Sequence, residues 1–566
     1  MWFDGRLDNR ADLLDRFAPT APGVDSLSDA ALTLAVYEQR GDEFVRELNG
    51  DFAIVVLDES RRQLILARDI MASQSLYYCV VQGVVLFASQ IKSILADRRV
   101  TAAPDEDGLA ELVLDYWCDD ERTCFKGIYS VPPGHAVVVT RDRIDQRAHW
   151  TFDPTRQIRY RTFEDYCDHF RTVFEESVRR RLRGASGIAV AVSGGLDSSS
   201  IFCQAAQLQR RESLRFTLHG VSMTFPAGTP ADERGFLEEI ERRYDLPITK
   251  LRISEYHYLD HVDCAVAQLD SPGQTSASDL EIARTAQRAG CGVLLSGFFG
   301  DQVLSDHAYM VDLVRGGRWF DVRRHLAEFA AWSTDVEPDF FRSEFWSHVM
   351  RGLPPRWLVR SARRLLRDRR AKGRYPPWFT EAFRGRAVAR SAQRFRDAGR
   401  FASFHAAQLY RHATAGHYVN SVRCERAAAR IYDVDVRYPF RDRDLVAFLM
   451  AIPGDVVNRG GVPKALLRRA LAGVLPDAVR DRRSKADFTA LENGAMRRDV
   501  RRLEALIRPE CLAVQAGFVN PAALSQLAST FDCLNDNDGP SAGWLLTDLA
   551  GLEIWLRRYF PGGSVN

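Results

Sequence analysis

The 566-residue chain has only six lysines, against 71 arginines. In so lysine-poor a sequence the remaining Lys residues draw attention as a group, because a compact ammonium of shiftable pKa does what guanidinium cannot imitate. Two of the six, Lys464 and Lys485, stand near each other toward the C-terminal end. Long apolar runs are missing, and no uninterrupted stretch reaches the length of a bilayer-spanning helix. The opening residues Met1-Trp2-Phe3-Asp4-Gly5-Arg6 are charged at once and do not follow the pattern of a secretory signal. The ten cysteines, from Cys79 to Cys533, include no C-x-x-C. That argues against a zinc site or disulfide framework and for reduced thiols in the cytoplasm. Charge of one sign is lacking as well: the net charge is +2, so neither nucleic acid nor a membrane surface is an expected partner. The rest of the composition, 46% apolar and 27% charged, is that of a globular chain long enough for about two to four domains.

The most informative stretch is Ser193-Gly194-Gly195-Leu196-Asp197-Ser198-Ser199, directly after the apolar run Ile188–Val192. A short β-branched run, two glycines and a helix-compatible segment from Ser199 to Leu208 predict strand, tight loop and helix. Such a loop turns backbone N–H groups and a helix N-terminus toward an anion, and glycine lets the backbone come close to a phosphate. The loop has no Walker-type Lys. Asp197 supplies instead an oxygen ligand for Mg²⁺ on the phosphates.

Before residue 155, short apolar runs separated by turn residues predict strands at 52–57, 63–67, 76–81, 84–87 and 136–139, with helices at 30–39, 91–95 and 107–113. After residue 156 a helix opens, with Phe163, Tyr166, Phe170, Val173, Phe174, Val178 and Leu182 on one stripe. Strands at 188–192, 220–225, 248–253 and 292–295 then alternate with helices at 233–243 and 280–288. This alternation implies a parallel sheet with ligands at the carboxyl ends of its strands. The predicted organisation is therefore a layered β domain at 1–155 and an α/β domain with helical additions at 156–566.

The Ser193–Ser199 run resembles the pyrophosphate loop of ATP-pyrophosphatase enzymes, which cleave ATP between its α and β phosphates to adenylate a substrate. Phe3–Asn9, Leu48–Phe52, Ala67–Asp69, Leu76–Tyr78, Phe87–Ser89 and Phe125–His135 look like the N-terminal Ntn-type glutaminase domain of asparagine-synthetase-type enzymes. Leu294–Gln302, Val434–Asp442, Gly461–Arg469 and Ser484–Phe488 look like phrases of their synthetase domain. The resemblance implies ATP and Mg²⁺, with Asp197 and Asp301 as metal ligands. It implies nucleotide contacts at Val192, Ser193, Gly194, Gly195, Asp197, Ser198, Met223, Ser296, Gly297 and Lys485, and Lys464 as the charge that touches the phosphates and stabilises the reacting carbonyl.

The departures narrow the function. Working glutaminases of this family begin with a nucleophilic Cys, and this chain begins Met1-Trp2. Either the start is misassigned or the domain is truncated. Asp4 and Arg6 stand where the family's Asn and Glu hold glutamine, and Asp51 alone cannot hold it, so no glutaminase activity is expected. Phe298 replaces the acidic residue that serves ammonia, and is expected to line an apolar pocket for a bulky substrate. For the general base, Asp435, Glu425, Tyr432 and His307 are candidates. Asp435 is preferred because it fills the acidic place before Arg-x-Pro-Phe.

An enzyme that adenylates a carboxylate without ammonia must use an amine already on its substrate. Lasso peptide cyclases, asparagine-synthetase-like enzymes with a degenerate first domain, resemble this chain most. The resemblance implies a macrolactam closed between the N-terminal amine and an Asp or Glu side chain of a ribosomal peptide, with a leader peptidase and a leader-binding protein as partners. A beta-lactam synthetase, an ammonia-using asparagine synthetase and a silent scaffold are the alternatives. One segment stays outside this frame: residues 356–374 carry nine basic side chains and one acid, which reads as a solvated helix face or a surface for an acidic partner.

Overall fold

The computed structural model describes the chain except residues 18–26, 115–120, 230, 253–256, 258, 274–276, 333–344, 347–348, 350–377, 395–400, 487, 525–540 and 562–566. The basic segment 356–374 lies outside the described residues.

Near-continuous apolar runs bury the two central early strands on both faces. β1 (Trp2–Leu7), β2 (Gly50–Asp58), β3 (Gln63–Arg68), β7 (His135–Val139) and β8 (Ile144–Ala148) form one antiparallel sheet in that order. β5 (Val84–Ala88), β4 (Tyr77–Val81) and β6 (Ile128–Ser130) form a second. Phe52, Ile54 and Val56 of β2 pack on Leu13 and Phe17 of α1 (Arg10–Phe17) and on Leu32 and Val36 of α2 (Asp29–Arg40). The intervening Ala53 and Val55 meet Tyr78 of the second sheet. Beyond that sheet lie α3 (Ile91–Leu95), α4 (Glu106–Val113) and the helix Ser541–Tyr559, whose Trp555 stacks edge-on against Phe125 at 5.1 Å. The layers run helix, sheet, sheet, helix, as an Ntn-type glutaminase domain requires. The sequence pattern missed β1, β6 and β8. β8 reads Ile-Asp-Gln-Arg-Ala and is a largely exposed edge strand, so no apolar alternation marks it.

α5 (Phe163–Leu182) opens with a capping box between Thr162 and Asp165 and buries Tyr166, Phe170, Phe174, Val178 and Leu182 along the expected stripe. β9 (Gly187–Ala191), β10 (Thr217–Thr224), β11 (Ile248–Arg252), β12 (Val293–Leu295) and β13 (Asp435–Arg437) make an all-parallel sheet in the order β11-β10-β9-β12-β13. α6 (Leu196–Glu212), α7 (Arg234–Tyr244), α8 (Val262–Leu269) and α9 (Ala277–Arg288) lie along the chain between its first four strands. The chain winds outward from β9 to β11, then crosses back to place β12 on the other side of β9. Their shared edge is the topological switch point, where an open α/β sheet leaves a crevice.

Candidate functional site

The two loops bearing the motifs leave the carboxyl ends of β9 and β12, the two strands that flank the switch point. Two glycines let them meet, and a third seats the first loop against the start of α7. Gly194 takes φ +73°, and a Cβ there would touch the Cβ atoms of Glu233 and Phe236 at 3.2 Å. A Cβ on Gly297 would lie 3.0 Å from the Ser198 nitrogen, and one on Gly300 would lie 2.5 Å from the carboxyl carbon of Asp197. The second loop therefore reaches Asp197 only because side chains are missing from it. The approach is also strained, since Phe299 (φ +79°) and Lys464 (φ +55°) both sit in the left-handed region without being glycine.

Around these loops lies a cleft of about 690 Å³, within the range of small-ligand pockets. Ser193, Gly195, Asp197, Ser198, Ser296, Gly297, Asp301, Lys464 and Lys485 line it, with Arg468, Arg482 and Arg483 adding positive charge. Val192, Gly194 and Met223 are not in its wall. Val192 is buried behind the loop. The Ser193 amide donates to Ser198 Oγ at 2.9 Å, which ties the loop to the first turn of α6.

Lys464 Nζ lies 2.6 Å from Asp197 Oδ2 and 2.7 Å from Asp301 Oδ1, and Lys485 Nζ reaches Asp301 at 3.2 Å. Burial alone would lower the Lys464 ammonium, but the two carboxylates outweigh it and leave its pKa raised. Burial likewise pushes Asp301 up, yet Lys464 and Lys485 hold it far below the ordinary carboxylate range. Asp197 is raised by burial, with Lys464 opposing and Asp301 reinforcing. Two carboxylates thus converge on one cation-sized position. Among the described residues no cluster of three or more His, Cys, Asp or Glu could hold a metal. Mg²⁺ does not need one, since it is commonly held by one or two carboxylates together with substrate phosphates. Asp197 and Asp301 fit that donor set.

A second group of lining residues comes from two packed helices. Asp279 and Ile282 project from α9, and Glu425 and Ala429 from the helix Gly416–Arg430. Glu425 is half-buried and shares hydrogen bonds with Ser296 and Tyr438. Burial first, and the charge of Asp279 second, push its carboxyl up to about 8.

Asp435, the preferred base in the sequence, is elsewhere. It begins β13, pairing with Val293 at the amino end of β12, and does not line the cleft. Its carboxylate bridges Arg426 (2.9 Å) and Arg437 (2.8 Å), which outweigh burial and hold its pKa low. A carboxylate so fixed is a brace for the sheet and a poor proton acceptor. Phe298 also departs from expectation: it packs against Tyr418 and Tyr438, at 6.3 and 6.1 Å between ring centres, and is not in the cleft wall. The aromatic residues that do line the cleft are Phe329, Trp332 and Phe488. Phe488 closes the Ser484–Phe488 phrase, whereas Phe329 and Trp332 carried no motif and only the fold brings them there.

In the first half, the positions that would grip glutamine are occupied by a buried ionic network. Arg6 pairs with Asp51 at 2.6 Å and with Asp8 at 3.1 Å, and Ser73 Oγ donates to Asp51 at 3.0 Å. Arg181 of α5 continues the network from Asp8 to Asp442, joining the two halves.

Comparison with known proteins agrees with this architecture. Residues 169–557 match the asparagine synthase family and residues 1–150 the glutamine amidotransferase domain. A glutamine-hydrolysing asparagine synthetase of Bacillus subtilis (Asparagine synthetase 3) is 26% identical, over 98% of this chain and 87% of that protein. The Penicillium rubens protein named amidase chyE is 28% identical over 51% of this chain and 44% of its own length. The carboxyethyl-arginine beta-lactam-synthase of Streptomyces clavuligerus is 28% identical over 35% of each chain. The chain belongs to the asparagine synthase family, whose members are ATP-dependent carbon–nitrogen ligases that release AMP.

Proposed function

We propose that this protein adenylates a carboxylate with ATP and joins it to an amine of the same substrate, closing a macrolactam in a ribosomal peptide. The observation that carries the reading is the pairing within one cleft of a phosphate-type end (Asp197, Asp301, Lys464, Lys485) with Glu425, a carboxyl of raised affinity for protons. Asp197 and Asp301 would hold Mg²⁺, which neutralises phosphate charge when bound. Lys464 moves from the carboxylates to the developing negative charge, where one well-placed donor is worth about 3–4 kcal/mol. Ser193, Gly195 and Ser198 position the phosphates, and Ser296 and Gly297 the nucleoside. Glu425, held by Ser296 and Tyr438, takes the proton of the attacking amine. Product amide, AMP and pyrophosphate then leave.

Ammonia released from glutamine is not the nucleophile in this reading, because Arg6 and Asp51 fill each other's needs where glutamine would bind. The peptide substrate, a leader peptidase and a leader-binding protein are its proposed partners, in the cytoplasm. The beta-lactam-synthase relative supports a second reading with a small substrate whose amine and carboxylate are likewise in one molecule. Mass spectrometry of a small peptide encoded beside this protein, incubated with ATP and Mg²⁺, tests the proposal. Loss of one water with AMP release, absent in Asp197→Ala, supports it. Glutamine-dependent amidation would overturn it.

A further inference from the structure

We propose that Asp279 receives the attacking amine as an ammonium ion and holds it against Glu425, so that this wall of the cleft selects a primary ammonium nucleophile. The inference rests on the amide-forming reading of the cleft. It starts from helix geometry. Asp279 and Ile282 are three residues apart on α9, and Glu425 and Ala429 four apart on the helix Gly416–Arg430. Each pair therefore shares one face of its helix. Because the two helices pack together and all four residues line the cleft, the carboxylates form one layer of the wall and the apolar pair the next. An ammonium head with an aliphatic stem matches such a wall.

The charged and polar groups around Glu425 come from every neighbouring element. Asp279 faces it from α9, Ser296 from the loop after β12, Tyr438 from the segment after β13, and Arg426 from its own helix. Arg426 is already engaged by Asp435 and by the Val436 carbonyl. An incoming cation would relieve the repulsion between Asp279 and Glu425. In the transfer, the ammonium gives one proton to the ionised form of Glu425 and its freed lone pair forms the C–N bond. The bond from the carbonyl carbon to the AMP phosphate oxygen breaks, and the second nitrogen proton goes to that departing oxygen.

The test needs neither ATP nor the true substrate. A stabilised diazo amide esterifies protonated carboxyls with loss of N2 and does not couple to amines, so Glu425 should be labelled near neutral pH, and peptide mass spectrometry reads the extent. n-Butylammonium is the probe, with n-butanol as its uncharged control. The expected result is protection of Glu425 by n-butylammonium alone, about tenfold weaker in Asp279→Asn and kept in Asp279→Glu. The labelling midpoint should also move to lower pH in Asp279→Asn, because a like charge has been removed. Equal protection in wild type and Asp279→Asn, no protection in wild type, or equal protection by n-butanol would each overturn the inference. Failure of the amide-forming reading would show separately, as absent pyrophosphate release from ATP while protection persists.

Discussion

Replacing Glu425 with Gln tests the central chemistry, because the same carboxyl affects rate and stability in predictable directions. Its pKa rises from the ordinary 4.5 to about 8 on folding, through burial and then the charge of Asp279. At 1.36 kcal/mol per unit the shift is worth about 5 kcal/mol, and screening at the half-open cleft leaves about 2 kcal/mol. A raised carboxyl pKa means that the folded state holds the proton more tightly. The stabilisation is complete below about 4.5 and is lost as pH rises through about 8. Glu425→Gln keeps the neutral form, so relative to wild type it should gain stability at pH 9 and little at pH 4. Spread over the entropy of unfolding a chain this long, 2 kcal/mol raises the Tm by about 2 °C. The rate should move the other way. Wild-type amide formation should fall about tenfold per pH unit below pH 8. The Gln variant should lose about 10²–10⁴-fold in amide formation while pyrophosphate release persists. Thermal unfolding at both pH values, beside separate assays of pyrophosphate and amide, measures all of this. A flat wild-type profile between pH 6 and 8, with Gln-variant turnover within a few fold of wild type, would refute the assignment.

Asp435→Asn should leave the pH profile of turnover unchanged and lower stability, because Arg426 and Arg437 lose their shared partner; denaturant titration beside turnover assays checks both. Gly300→Ala should abolish ATP-dependent pyrophosphate release with a small change in Tm, since the new Cβ falls 2.5 Å from the Asp197 carboxyl carbon and forces the loops apart. Asp51→Asn leaves Arg6 buried without its closest charge partner and should cost about 3–5 kcal/mol, read by denaturant unfolding. Lys464→Met should lower pyrophosphate release about 10²–10³-fold yet tighten Mg²⁺ binding in the absence of ATP, because the ammonium no longer competes for Asp197 and Asp301; calorimetry with Mg²⁺ alone reads the second effect.

Much of this molecule was determined locally and so could be read along the chain. Alternation placed β2, β3, β4, β5 and β7, the 163–182 stripe placed α5, and glycines beside Asp197 and Asp301 marked two loops at strand ends. The scarcity of Lys singled out Lys464, which indeed bridges those two carboxylates. Edge strands such as β8 stayed hidden because exposed strands need no apolar pattern. What tertiary structure alone decided is which acid faces the cleft. Asp435 and Glu425 are ten residues apart and equally acidic in sequence. Parallel register sends Asp435 to the amino end of β13 between two arginines, while the preceding helix turns Glu425 onto the cleft beside Asp279, a residue from α9 that no motif had marked. Proton affinity depends on charges and burial contributed by distant segments, and only folding brings those segments together.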